Sequence, residues 1–579
     1  MRRVLVALLL VFAMVFGVAA SAAVAPNGPP TSIGTGGAAA SVETLATQAA
    51  IDTLKAGGNA VDAAVAAAGV LGVTEPFSCG VGGGGFMVIR TASGKVTTLD
   101  GRETAPEAMT PTSFWENGAP LPFNDARWSG LSVGVPGTPA TWGEALEKYG
   151  TMSLAQVLQP GMRVAKNGFV IDQTFFDQTQ AAVPWFDDIS TTAALYLDPD
   201  GTPHDVGTVF RNPDLARTYE RIGHLGVKGF YRGAIADAMT NTIQHPPVLP
   251  KADHVWRPGV MTMRDLHTYV APEREPTHVN YRGLDVYSMG PPSSGGSTVG
   301  EALNILEGYN LASMPRDLAY HYFIEASRYA FADRNAYLAD PEYYDVPLSG
   351  LLSDDYAAER RALITTTAAP GAVQPGNPYP YVTGQAAATA TMSETTTHLV
   401  TSDKWGNVVS YTFTIESTGG SGLLVPGWGF LLNNELTDFN YDSTTHPNRV
   451  EGGKRPRSSM APTIVLDGKK PFLALGSPGG STIITTVLQI LFDRLDQGLT
   501  LPQAIADPRA SQRNGTNTSA EPAFLASPLK TQLDARGHHF VNGGEIGAAT
   551  AIEFRPGGLV LAAAEPVRRG TGSAMVENP

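Results

Sequence analysis

The stretch that most restricts the fold lies in the last third of the chain, where two β-rich runs flank a turn. Residues 397–402 and 408–415 are dense in Val, Thr, Tyr, Phe and Ile, and Asp403-Lys404-Trp405-Gly406-Asn407 between them carries turn residues. The pattern predicts an antiparallel hairpin. With Ser402 facing Val408, Thr396 falls opposite Thr414, and opposed residues bring their Cβ atoms within about 4.5–5.5 Å. The period of two then gathers Thr412, Thr414 and Glu416 on one face and Val409, Tyr411, Phe413 and Ile415 on the other. A slip of one residue would exchange the faces, so the assignment depends on the register.

A threonine hydroxyl alone is a weak nucleophile, and no closely spaced Ser-His-Asp set surrounds Thr396. Two readings of Thr395-Thr396-Thr397 follow. One is a polar linker continuing the Ala/Thr-rich residues 384–392. The other is a site of chain cleavage: if the Thr395–Thr396 bond is cut, the new α-amino group, with a pKa of about 7.7–8.0, can act as base for the hydroxyl beside it. Residues 370–392, rich in Pro, Gly, Ala and Thr, suit a cut that must free a new terminus.

The hairpin is one of an ordered set of motifs. Before it come EPFSCGVGGGGFMVIR (75–90), DGRETAP (100–106), YSMGPPSSGGS (287–297) and FADRNAYLADP (331–341). After it come LLNNELTDF (431–439), KRPRSSMAPTIV (454–465) and LGSPGGSTI (475–483). Together they resemble the γ-glutamyltransferase family of N-terminal-nucleophile hydrolases over nearly the whole chain. The resemblance implies an α+β fold, a four-layer αββα sandwich in which a large subunit (23–395) and a small subunit (396–579) interleave in one core after self-cleavage. It implies Thr396 as nucleophile supported by Thr414, with no cofactor. Glutathione and other γ-glutamyl compounds would be donors, and water, amino acids or peptides the acceptors. Arg102 would clamp the substrate's α-carboxylate, for which its planar fork is suited. Ser458 and Ser459 match the family's carboxylate-binding serines. Asn433, Asn434, Glu435 and Asp438 match positions that meet the substrate's amino group.

Gly479 and Gly480 precede a helical pattern over residues 481–496, and amides at a helix N-terminus are unpaired donors suited to a developing oxyanion; a plain helix cap is the alternative. Three features depart from the commoner family pattern. Glu416 and Glu435 stand where many members have Asn and Gln. Ser417-Thr418-Gly419-Gly420 replaces a segment containing an aromatic residue. Arg457 replaces an apolar residue. Residues 440–453 form a loop shorter than that of lidded members, so the chain resembles the lidless branch, with Tyr441, His446 and Arg449 available to cover the opening in part.

Met1-Arg2-Arg3, the apolar residues 4–18 and the small residues near Ala22 read as a secretory leader over residues 1–22. Its removal takes the net charge from −14 to −16, which argues against nucleic-acid binding. Cys79 is the only cysteine, so no intramolecular disulfide is possible. The eleven histidines show no metal-ligand spacing, and His538-His539 reads as an exposed pair.

Helical patterns are expected at 42–56, at 60–71 behind a cap at Asn59, at 139–149, 154–166, 213–222 and 299–307, and at 319–338, where the aromatics belong to the core. Strand-like runs occupy 86–90, 95–99 and 429–432. The G-x-G-x-x-G match at 80–85 follows a helix and enters a strand, the reverse of a dinucleotide site, so its glycines are read as close backbone packing. Two rival functions stand beside the transferase: a sister activity on the same scaffold, β-lactam side-chain acylation or poly-γ-glutamate cleavage, and an unprocessed, inactive exported binding protein.

Overall fold

Two β-sheets meet on one long strand. Numbered along the chain, the strands are β1 (Thr31–Ser41), β2 (Gly84–Arg90), β3 (Val96–Gly101), β4 (Glu273–Arg274), β5 (Thr277–Tyr281), β6 (Leu284–Ser288), β7 (Thr397–Ser402), β8 (Val408–Thr414), β9 (Thr463–Asp467), β10 (Lys470–Gly476), β11 (Thr550–Phe554), β12 (Val560–Ala564) and β13 (Ser573–Asn578). The computed structural model describes residues 30–381 and 396–579; the expected leader, the Ala/Thr-rich residues 384–392 and Thr395 lie outside the described residues. The C-terminal half of β1 pairs with β7 and β13, and the first sheet runs β4-β3-β2-β8-β7-β1. The N-terminal half of β1 pairs with β12, and the second sheet runs β1-β12-β11-β10-β9-β6-β5, antiparallel throughout.

The sheets are stacked. Ala38, Ala40, Val88 and Val400 of the first meet Ile464, Ala474, Ile552 and Ala562 of the second in one buried layer. Two helices, α1 (Thr44–Lys55) and α2 (Ala60–Thr74), cover the outer face of the first sheet over Met87, Ile89, Leu399 and Val409. Three more, α3 (Gly295–Glu307), α4 (Arg316–Tyr337) and α5 (Thr482–Leu495), cover the second over Val465, Leu473, Leu475 and Ala551. This is the four-layer αββα order. Helix α2 is buried on every side, which its run of Ala, Val and Gly permits, and it starts at Asn59 in a reciprocal cap with Asp62. Strands β7 and β8, which follow Thr396, lie between β2 and β1, which precede it. A cut before Thr396 would therefore leave two chains sharing one sheet.

The hairpin register is the expected one, Ser402 opposite Val408 through Thr397 opposite Phe413. The glycine run preceding β2 also packs as expected. A Cβ on Gly82 would lie 2.0 Å from the Leu431 carbonyl oxygen and one on Gly83 1.9 Å from that of Thr414, so only glycine lets these backbones approach.

Three expectations change. Residues 429–432 are not a strand: Gly427 and Gly429 both have positive φ, and the chain doubles back so tightly that only the Leu424–Leu431 bridge forms. The helix over 154–166 divides at Leu158 into Leu154–Val157 and Gln159–Asn167, with Pro160 in the first turn of the second, where its missing N–H costs nothing. His538 is buried rather than exposed, because its ring is hydrogen-bonded to His321 of α4 at 2.8 Å.

Candidate active site

The hairpin register places the two hydroxyls in contact: Thr396 Oγ1 lies 3.4 Å from Thr414 Oγ1, and both residues are buried. Thr414 Oγ1 also accepts the Glu416 amide at 2.8 Å. The Thr396 carbonyl accepts from Arg569 Nη1 at 2.9 Å, and Arg569 Nη2 donates to Ser78 Oγ at 3.1 Å. Thr396 is thus fixed on its hydroxyl side by β8 and on its carbonyl side by a guanidinium from near the C-terminus.

Glu416 has φ +76, a conformation costing a non-glycine residue about 1–3 kcal/mol unless its surroundings enforce it. They do. Its carboxylate accepts from Ser417 Oγ and Asn434 Nδ2, and Asn434 Oδ1 accepts the Ser417 amide at 3.0 Å. Asn434 in turn leads directly into the short 3-10 turn Glu435–Asp438.

That turn faces Arg102. The buried guanidinium donates to Glu435 and to Asp438, while its Nε and Nη2 reach the Pro456 and Arg457 carbonyls at 3.0 and 3.1 Å. Burial alone would weaken the hold on its proton, but the two carboxylates outweigh burial and push the Arg102 pKa up. Glu103 is wholly buried beside them; burial drives its carboxyl well above the usual range, and burial raises Glu435 as well against the pull of Arg102. Through the Pro456 and Arg457 carbonyls Arg102 also fixes the chain entering Ser458-Ser459. Ser459 Oγ accepts from Arg334 Nη2 at 2.7 Å, and Arg334 Nε donates to Ser294 Oγ at 2.9 Å. The Ser294 hydroxyl donates to the Ser458 carbonyl at 2.6 Å, so α3 and α4 brace the serine pair.

A cavity of about 650 Å³ opens here, lined among others by Arg334, Asp438, Arg457, Gly479 and Arg513. Gly479 and Gly480 both have positive φ, and neither amide meets an acceptor among the described residues; α5 begins two residues beyond them. The fold thus brings the predicted residues into three bonded groups: Thr396, Thr414 and Glu416; Arg102, Glu435 and Asp438; and Ser458 with Ser459. Asn434 links the first two, Arg102 the last two, and Gly479 shares the cavity with Asp438. No direct bond joins Thr396 to Gly479 or Gly480.

The short loop over residues 440–453 folds inward. Asn448 Nδ2 donates to the Asp438 carbonyl at 2.8 Å and to Asn440 Oδ1 at 3.1 Å, its Oδ1 accepts the Arg457 amide at 2.8 Å, and its own amide donates to His446 Nδ1 at 2.8 Å. Tyr441 packs on Phe114 with ring centroids 5.1 Å apart, and Arg449 pairs with Glu451 at 2.8 Å. Arg457 is buried, with Nη1 near the Arg334 carbonyl at 3.4 Å.

Sequence reasoning missed Arg334, Asn448 and Arg569 as site residues. Arg334 lies within the motif at 331–341 and Asn448 in the loop between the motifs at 431–439 and 454–465, and a charged or amide residue amid apolar spacing is the available signal; Arg569 gives none, since it arrives from the far end of the chain. Among the described residues Asp188, Asp253 and His254 could converge on a cation, but Asp188 already accepts from Trp256 Nε1 and His254 Nδ1, both at 2.8 Å.

The sequence matches the family model described as gamma-glutamyltranspeptidase over residues 46–575. It is 38% identical over 522 residues to the glutathione hydrolase proenzyme of Bacillus subtilis strain 168, covering 88% of this chain and 86% of that protein. Against the glutathione hydrolase proenzyme of Escherichia coli K12 it is 36% identical over 592 aligned positions, 98% of this chain and 97% of that one. The crystal structure of cephalosporin acylase from Bacillus halodurans superposes with a TM-score of 0.82 at 30% identity, covering 95% of this chain and 97% of the other.

Proposed function

Because the chain belongs to the gamma-glutamyltranspeptidase family, we propose that it is an exported, self-processing enzyme that moves the γ-glutamyl group of glutathione and related compounds to water or to amino-acid and peptide acceptors. The observation that carries this reading is the Arg102–Glu435–Asp438 cluster, joined to Glu416 through Asn434, with Asp438 lining the cavity. An α-amino acid end, carboxylate and ammonium together, is the ligand such a pair of charges recognises.

Maturation begins when the Thr396 hydroxyl adds to the Thr395 carbonyl carbon and the Thr395–Thr396 C–N bond breaks, moving the acyl group from nitrogen to oxygen and freeing the Thr396 α-amino group; water then opens the ester, restoring the Thr396 hydroxyl and leaving Thr395 with a carboxylate. In turnover that amine takes the hydroxyl proton as Oγ1 attacks the γ-carbonyl carbon of the donor. The Gly479 and Gly480 amides hold the oxyanion, and such donors are typically worth a factor of about 100–1000 each. As the C–N bond breaks, the ammonium returns its proton to the leaving amine. Water or an acceptor amine then cleaves the γ-glutamyl-Thr ester, and the Thr396 hydroxyl is restored. Thr414 Oγ1 supports the nucleophile, Arg102 with Ser458 and Ser459 holds the donor carboxylate, and Glu416, Glu435 and Asp438 hold its ammonium.

The leader supports export, and among the described residues no helix is long and apolar enough to cross a membrane. A second reading, β-lactam side-chain acylation, is favoured by the likeness to cephalosporin acylase. The two part at the ammonium, because a glutaryl group would leave Asp438 and Glu416 without a cation. Turnover of a γ-glutamyl anilide should exceed that of the glutaryl anilide by roughly a hundredfold or more; the reverse preference selects the acylase.

A further inference from the structure

Arg127 is a buried guanidinium with little to oppose its charge. It is 9% exposed, its Nε meets no acceptor, and its bond among the described residues runs from Nη2 to the Thr418 carbonyl at 2.6 Å. Its remaining surface rests on aromatic faces, 4.7 Å from the Trp185 ring and 5.7 Å from that of Trp128, which themselves stack at 5.0 Å. An arginine serving only as a hydrogen-bonding post for one carbonyl is a costly choice, since removing its charge from water carries a penalty that one neutral acceptor does not repay.

The carboxylate in that segment, Glu416, is two residues from Thr418. Burial pushes the Arg127 pKa down to about 10, and the Glu416 carboxylate is the charge that pulls it back up. Glu416 is also the position where a carboxylate stands in place of the amide common in the family. The segment between them has lost its aromatic residue: Gly419 has φ +76, and a Cβ there would lie 2.7 Å from the Phe186 ring. Phe186, Trp185 and Trp128, all from the part of the chain before Thr396, fill that side and seat Arg127 against the Glu416 segment.

We propose that Arg127 is the counter-charge of Glu416, a positioning residue that lets this chain hold a buried carboxylate where an amide would need no partner, and keeps it ionised to meet the donor's ammonium. The second half rests on the γ-glutamyl reading; the first does not. Other titratable groups near Glu416 are the Thr396 α-amino group once formed and Tyr441 across the loop; Asn434 joins Glu416 to the turn that carries Glu435 and Asp438, with Arg102 and Glu103 behind it. Unlike the Thr396 amine and the Arg102 cluster, Arg127 bonds the chain segment that carries Glu416 and is given no part in holding the donor.

The test is a double-mutant cycle of Arg127→Met and Glu416→Gln, with Arg127→Lys as the charge-keeping control. On matured enzyme, Arg127→Met should move the acid limb of kcat/KM for a γ-glutamyl anilide upward by about one pH unit, raising KM roughly tenfold near pH 6 and less at pH 9. In the Glu416→Gln background the same change should alter KM less than about twofold at every pH. Arg127→Lys should stay near wild type. An equal, pH-independent rise in both backgrounds, or an unmoved acid limb, overturns the proposal. If Arg127→Met does not mature, the double variant should; a double variant that fails while Arg127→Lys matures also overturns it. Thermal unfolding of the four proteins reads the same pairing without substrate: Arg127→Met should lower Tm clearly in the Glu416 background and little in the other, and additive losses contradict the pairing. Absence of γ-glutamyl turnover in the wild type would count against the functional reading alone.

Discussion

Arg102 shows how much a single residue of this site does. It joins the Glu435–Asp438 turn to the Pro456–Arg457 carbonyls, so its planar fork sets two walls of the cavity at once. Lysine keeps the charge and loses the fork. Arg102→Lys should mature normally and raise the KM for γ-glutamyl donors by about tenfold or more, measured on processed enzyme; an unchanged KM would remove Arg102 from donor binding. Thr414→Ala takes away the hydroxyl that meets Thr396 and the Glu416 amide, a loss of about 1–3 kcal/mol of local hydrogen bonding. Maturation and kcat should both slow, and less than in a Thr396 variant; stopped-flow and gel time courses read the two rates. The opposition of these threonines was legible because a five-residue turn fixes the register, and register fixes partners. Asn448 and Arg334 were not, since their hydrogen bonds join positions whose adjacency depends on how helices and loops fold back on the sheets.

At the scale of elements, the hairpin, α1, α2 and α4 follow from periodicity and caps, because each buries a face that its own sequence specifies. His538 did not follow. Beside another histidine in a polar stretch it reads as surface, yet it closes a dock between α4 and the segment that leads toward Thr396. His321 Nε2–H donates to the Thr365 carbonyl at 2.8 Å, so its Nδ1 accepts from His538 Nε2–H, and Arg536 holds the Ala368 amide through its carbonyl at 2.8 Å. Burial lowers the pKa of His321 and takes that of His538 to about 3; a proton on His321 Nδ1 removes the acceptor and breaks the pair, and one on His538 Nδ1 adds a charge to a buried ring. Both are depressed below the unfolded value, about 6.5, so their contribution is complete above that pH and is lost as pH falls toward 3. Stability should decline across this window by a few kcal/mol in urea titrations, and His538→Gln should be less stable at pH 8 with a flatter decline. An undiminished slope in the variant would place the acid sensitivity elsewhere.

Over the whole molecule, strands from before and after Thr396 alternate in one sheet, so two fragments would remain associated without a covalent link. The layer order came from the resemblance rather than from periodicity, which specifies faces but not which sheet covers which. The same scale governs access. The loop over 440–453 is drawn inward by Asn448 and by Lys454, whose Nζ donates to the Pro447 carbonyl at 2.5 Å, so it braces the pocket rather than covering it. Substantial hydrolysis should accompany transpeptidation, and γ-linked glutamate oligomers should release glutamate at rates measurable beside glutathione. Undetectable release with normal glutathione turnover would contradict an open site.

The central claim, that Thr396 makes itself the N-terminal nucleophile, has a direct measurement: intact mass and N-terminal sequencing of purified wild type and Thr396→Ala. The account predicts that the wild type yields two fragments, the smaller beginning at Thr396, and that Thr396→Ala remains one chain without activity. A wild-type fragment beginning elsewhere, or a Thr396→Ala protein that still divides at this bond, would contradict it.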